Sequence, residues 1–189
     1  MSKKKKKLEK YDAMLRRRIA KKDVVKLLRT VTEGVSDIQC IILKASANFI
    51  LVQLVGEFEL NGYAILGVDQ YDFLRHNKFD KTIKKILEAE RIVPAQYGLK
   101  KQINLDNWQT IFTDIKKHYR DATVECENLK RPTFTIGPIV EIKNKSVSVN
   151  YYNAAGVPDK KNTRVRYKNI SLVTFGDRYT TIFKKYITK

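Results

Sequence analysis

The chain carries one packing pattern twice, and this duplication constrains its fold more than any other feature. Residues 41–90 hold β-branched and apolar runs, polar turns and then an amphipathic stretch, and residues 138–188 repeat the scheme. Ile50 and Val52 match Val147 and Val149 at an offset of 97. Phe79, Ile83, Ile86 and Leu87 match Tyr179, Phe183, Tyr186 and Ile187 at an offset of 100. The drift of three falls in polar loops, where a change of length costs little. The pattern predicts a tandem pair of small strand-rich units, each ending in a helix. Two units of about 60 residues would have marginal separate cores. The halves are therefore expected to pack on each other or on the helices between them.

Residue by residue, the first 34 positions read as a basic arm and helix. Lys3–Lys7 form a self-repelling, solvated tip. Leu8, Tyr11, Met14 and Leu15, then Val24, Val25 and Leu28, recur at near-helical spacing, with Asp23 placed to cap a second short helix and Gly34 to end it. The first unit spans 35–91. It has strands at 37–45 and 48–55, a turn signal at Asn61-Gly62, strands at 63–68 and 71–75, and a helix with Phe79, Ile83, Ile86 and Leu87 as its packing stripe. Residues 92–120 form a linker and a connecting helix, with Trp108, Ile111, Phe112, Ile115 and Tyr119 on one face and Asn104 or Asp106 as its cap. The second unit, 121–189, has strands at 123–127, 133–142, 146–152, 163–167 and 171–175, and a closing helix at 177–187. Gly56, Gly62, Gly137, Gly156 and Gly176 all fall where turns are expected. The fold class expected is mainly β with flanking helices (α+β). Small Sm-like or SH3-like antiparallel barrels, each closed by its C-terminal helix, fit these strand lengths.

The runs NYYNAAG and RVRYKNISLVTFGDRYTTIFKKY in the second unit, and VGEFELNGYAIL and FDKTIKKIL in the first, resemble a set of small bacterial proteins of uncharacterised function. The resemblance covers most of residues 36–188, and its signature is the passage Phe175-Gly176-Asp177-Arg178-Tyr179. It implies the two-barrel fold, not an activity, and the lysine-rich arm stands outside it.

The formal net charge is +18, and it is unevenly placed. Residues 1–29 hold thirteen Lys/Arg against three Asp/Glu, a net +10. Such an element suits a polyanion. Lys3, Lys4, Lys5, Lys6, Lys7, Lys10, Arg16, Arg17, Arg18, Lys21, Lys22, Lys26 and Arg29 are its cations. Arg164 and Arg166 alternate with Val165 and so share the outer face of a strand. Tyr151 and Tyr152 point to opposite faces; Tyr152 is taken as a platform on which a base could stack. No apolar segment follows the first lysines and no apolar run is long enough to span a bilayer. With two cysteines 86 positions apart, a cytoplasmic protein with reduced thiols is expected.

Motifs for reaction chemistry do not assemble. His76 and His118 lie far from either cysteine, Cys40 sits in an apolar strand, and Cys126 stands between two glutamates that disfavour a thiolate. Glu57/Glu59 and Glu125/Glu127 are i, i+2 pairs, expected on solvated sheet faces. No metal, cofactor or catalytic residue is assigned. The expected function is non-enzymatic binding of RNA or DNA. The alternatives are a protein-interaction or antitoxin-like accessory module with an acidic partner, a basic helix resting on anionic lipid, and an enzyme, the last unsupported by any convergent set of groups.

Overall fold

The computed structural model describes residues 13–187. Its elements are a helix α1 over 13–20, then strands β1 (Val24–Val31), β2 (Gly34–Ala45), β3 (Phe49–Gly56), β4 (Glu59–Gly67) and β5 (Phe73–Arg75). Helices α2 (Lys78–Ala89), α3 (Ile92–Ala95) and α4 (Trp108–His118) follow. Strands β6 (Asp121–Cys126), β7 (Thr133–Lys143), β8 (Ser146–Val149), β9 (Thr163–Arg166) and β10 (Leu172–Phe175) lead to α5 (Arg178–Phe183). All the strands join one open antiparallel sheet in the order β5-β1-β2-β3-β4-β10-β6-β7-β8-β9. Each half traces the same path. Four strands meander, a fifth returns to pair with the first, and a helix follows. The halves join where β4 meets β10, with Tyr63 opposite Phe175 and Ile65 opposite Val173.

The centre of the sheet is buried on both faces, which is why β3 reads as a nearly unbroken apolar run. Phe49, Leu51, Tyr63 and Ile65 point into a core shared with α4 and the second half. Ile50, Val52, Ala64 and Leu66 point into a core shared with β1, β2 and Leu15 of α1. The four positions matched in the sequence, Ile50, Val52, Val147 and Val149, are all fully buried. Helix α4 lays Ile111, Phe112 and Ile115 on the second half. Each of these side chains contributes roughly 1.5–3 kcal/mol before the entropy of ordering it. Its N-cap is Asn107, whose side-chain oxygen Oδ1 accepts the Thr110 N–H at 3.0 Å, rather than Asn104 or Asp106.

Several expectations are overturned. Val24, Val25 and Leu28 belong to β1, not to a helix. Their spacing suits either period. Pairing with β2 on one side and β5 on the other decides it. Asp23 caps no helix; it is buried beside Arg18 and Lys84.

Asn61-Gly62 is not a turn but a bulge inside β4. The turn is made four positions earlier by Glu57 and Phe58, both at positive φ (49° and 62°). Gly62, at φ 76°, lets β4 approach the start of α5, since a Cβ there would sit 2.7 Å from the backbone of Asp177. The Asn61 side-chain oxygen Oδ1 then accepts the Arg178 N–H at 2.8 Å. Gly137 likewise lies within a strand, β7.

The helix stripes are also rotated. Phe79, Tyr179 and Tyr186 are exposed, while Asp80 and Leu87 of α2 and Thr180 of α5 turn inward. The caps set this phase. Asn77 and Asp177 each hold the backbone N–H of the residue three positions on, Asp80 and Thr180, and so draw that residue against the sheet.

Candidate nucleic-acid interface

On β9, Val165 is buried while Arg164 and Arg166 stand out, as strand alternation requires. The adjoining β7–β8 turn brings Asn144 and Lys145 to the same place. Tyr167 clamps the two segments. Its N–H donates to the Lys145 carbonyl at 3.0 Å and its hydroxyl to the Lys143 carbonyl at 2.8 Å. Its ring stacks on Phe112 of α4 at 5.9 Å with planes 11° apart. Burial raises the Tyr167 pKa, so the hydroxyl remains a donor. Arg164 is steadied by an Nε–H bond of 3.0 Å to the Ser146 hydroxyl.

The result is an open concavity of about 650 Å³ lined by Asn144, Lys145, Arg164, Arg166, Tyr167 and Lys168. Four cations and no carboxylate line it. It offers guanidinium and ammonium donors and a neutral side-chain amide, the donor types that can meet phosphate oxygens. Sequence reasoning found Arg164 and Arg166 but missed Lys145 and Lys168. Lys145 lies in the turn preceding the strand paired with β9, a placement that only strand register reveals.

A second basic groove, of about 530 Å³, lies between α1 and α2. Arg17, Arg18 and Lys21 meet Lys81, Lys84 and Lys85 there, but Asp23, His76 and Glu88 share the lining. Asp23 takes Arg18 at 2.9 Å and Lys84 at 3.0 Å. Burial pushes the Asp23 carboxyl up, and these cations, with His76, outweigh it and hold the pKa below its ordinary value. Arg18 is therefore partly neutralised, whereas Arg17 and Lys21 remain exposed. The lysines of α2 were legible as a polar helix face but were not assigned to the site.

The structure divides the remaining predicted residues. Lys3, Lys4, Lys5, Lys6, Lys7 and Lys10 lie outside the described residues. Arg16 is exposed on α1. Lys22 holds its ammonium 4.5 Å from the centre of the Tyr97 ring. Lys26 pairs with Asp37 at 3.0 Å. Arg29, expected along a phosphate backbone, is instead buried and paired with Glu127. Tyr152, the expected platform, is only 2% exposed and stacked beneath Phe183, so no base can reach it. Tyr151 is the half-open member of the pair, edge-on to Phe134.

The acidic pairs also depart from a solvated strand face. Glu57 lies in the β3–β4 turn. Glu127 is tied to Arg29 and accepts the Ser171 hydroxyl at 2.7 Å. Glu125 is raised in pKa by burial and by the Glu127 charge, against a smaller opposing effect of Arg29. Both thiols are buried. Burial, with Asp80 behind it, pushes Cys40 far up. Cys126 is raised by burial, against a Thr133 hydrogen bond, with Glu125 and Glu127 adding to the rise. Among the described residues no helix is long and apolar enough to cross a membrane. Comparison with protein-family models, with curated proteins and with solved structures finds no match to the chain.

Proposed function

We propose that this chain is a non-enzymatic nucleic-acid-binding protein that holds phosphates in the Arg164/Arg166 concavity and along its basic N-terminal arm. The observation that carries this reading is the lining of that concavity, four cations with no carboxylate among them. A polyanion entering it releases counterions, which favours binding at low salt irrespective of sequence. We also read each half as a small Sm-like or SH3-like unit. The support is the strand path, in which a fifth strand returns beside the first in both halves.

The test is a filter-binding titration with a 20-nucleotide single-stranded RNA at rising salt, and the same with DNA. Binding at low salt that weakens steeply with salt is expected. Arg164→Glu with Arg166→Glu, and deletion of residues 1–12, should each weaken it. Deletion of 1–29 would be uninformative because it removes most of β1. Absence of binding at low salt overturns the reading. So does a stoichiometric protein partner that survives nuclease treatment while neither change alters nucleic-acid affinity.

A further inference from the structure

Helix α5 carries the outer two rings of a three-ring column. Tyr152 lies against Phe183 with ring centres 5.2 Å apart and planes within 12°. Phe183 lies against Tyr179 at 5.1 Å and 15°. Tyr179 and Phe183 are one helical turn apart, so α5 itself sets their spacing. The inner end is anchored. Tyr152 is buried, its N–H donates to the Ile136 carbonyl at 3.4 Å, and it bridges to Pro158. The outer end is open, for Tyr179 is 52% exposed.

An exposed ring is commonplace on a protein surface. What distinguishes Tyr179 is the column beneath it. Phe79 holds the matching place on α2 and is also exposed, but the position one turn on is Ile83, and the Lys78 ammonium lies 5.2 Å from the centre of its ring. Because Tyr179 is stacked before anything binds, a further ring can add to it with little loss of side-chain freedom. The charge around it favours an anion. Arg178, Lys184 and Lys185 are exposed on and just after α5. The nearby carboxylate of Asp177 is turned inward, one oxygen taking the Thr180 N–H at 2.8 Å and the other the Thr180 hydroxyl at 2.7 Å.

We propose that Tyr179 is a stacking site for an unpaired base of single-stranded nucleic acid, with Arg178, Lys184 and Lys185 taking the flanking phosphates. The inference rests on the nucleic-acid reading and sharpens it, from any polyphosphate to a strand whose bases are free. A duplex keeps its bases stacked inside and offers Tyr179 none.

The test is fluorescence anisotropy of the full chain at low salt with a dT 20-mer and with an abasic strand of the same length. The wild type should bind dT roughly tenfold more tightly than the abasic strand, the size expected for one stacked base. Tyr179→Leu should abolish that preference and leave affinity for the abasic strand unchanged. Tyr179→Phe should keep the preference, which separates loss of the ring from damage to the helix. In Tyr179→Trp the added indole emission should be quenched by dT and not by the abasic strand. Equal binding of both strands by the wild type, or a preference that survives Tyr179→Leu, overturns this site and leaves the phosphate reading standing. Failure of both strands to bind overturns both.

Discussion

Arg29 of β1 and Glu127, just after β6, form a largely buried ion pair that ties the two halves of the chain together across a separation of 98 residues. The Arg29 side chain is 1% exposed, and its Nε–H donates to the Gln70 carbonyl at 3.0 Å. Alongside it the Thr32 N–H donates to the Glu127 carbonyl at 3.3 Å, and Asn128 donates to Gln70 at 2.8 Å. β1 and β6 are far apart in the strand order, so these contacts show how strongly the sheet curls. Glu127→Gln strands a buried guanidinium and is expected to cost about 3–5 kcal/mol. Arg29→Met with Glu127→Leu removes both charges and should cost less than the sum of the single changes. Urea unfolding of the wild type, Arg29→Met, Glu127→Leu and the double variant measures the coupling; additive losses would show that the pair is not a unit.

The β3–β4 turn is made by residues poorly suited to it. Glu57 and Phe58 both hold positive φ, where a side chain is crowded, and Phe58 is half exposed. Two-residue hairpin turns of this kind favour Asn followed by Gly. Glu57→Asn with Phe58→Gly is expected to stabilise the fold by about 0.5–1 kcal/mol, read as a rise in thermal midpoint.

Acid stability should follow four carboxyls pulled in opposite directions. Burial pushes Asp80 up, but the Arg75 guanidinium at 2.8 Å and the Asn77 N–H, also at 2.8 Å, more than offset it and hold its pKa below 3.8. Asp23 behaves likewise. For both, the folded chain binds fewer protons than the unfolded one. Their contribution is full above 3.8 and is lost as pH falls through the lower folded values.

Asp121 and Glu125 run the other way. Burial raises Asp121 against the attraction of Arg120 and Lys184, and both of its oxygens are buried without a hydrogen-bond partner. These two groups take up protons more readily when folded, so stability should rise as pH falls through their raised values to the ordinary 4.5 and 3.8, below which only the loss at Asp80 and Asp23 remains. Asp121→Asn should flatten the rise, and Asp80→Asn should lower stability at pH 7 while shrinking the acid loss. A chemical denaturation series from pH 7 to 2.5 checks both slopes.

What was legible in the sequence was what depends on local pattern. The β3 run, the α4 stripe and the alternation of Arg164, Val165 and Arg166 all appear as read. What escaped depends on partners distant in the chain. Val24 and Val25 became strand because β2 and β5 flank them, and Asn61-Gly62 became a bulge because α5 starts against it. Tyr152 and Arg29 were read as surface residues from charge and ring type alone. Their burial rests on Phe183 and Glu127, contacts that no spacing rule reveals. The site escaped in part for the same reason, since Lys145 and Lys168 join Arg164 only through the β7–β8 turn and the turn after β9.

The two basic concavities should differ in how they respond to salt. The Arg164/Arg166 site has no carboxylate in its lining, whereas Asp23 and Glu88 sit among the cations of the α1–α2 groove. Carboxylates beside the cations repel a phosphate, so fewer phosphates are neutralised and fewer counterions released in that groove. If Arg164 and Arg166 each contact one phosphate, Arg164→Ala with Arg166→Ala should lower the magnitude of the log–log salt slope on single strands by about 1.4. Lys81→Ala with Lys85→Ala should lower it by less, although those two lysines are exposed and equally charged. Affinity measured between roughly 50 and 200 mM salt resolves a change of that size. Equal changes for the two pairs would place the phosphate path along both grooves, and a larger change for the lysines would move it to α2.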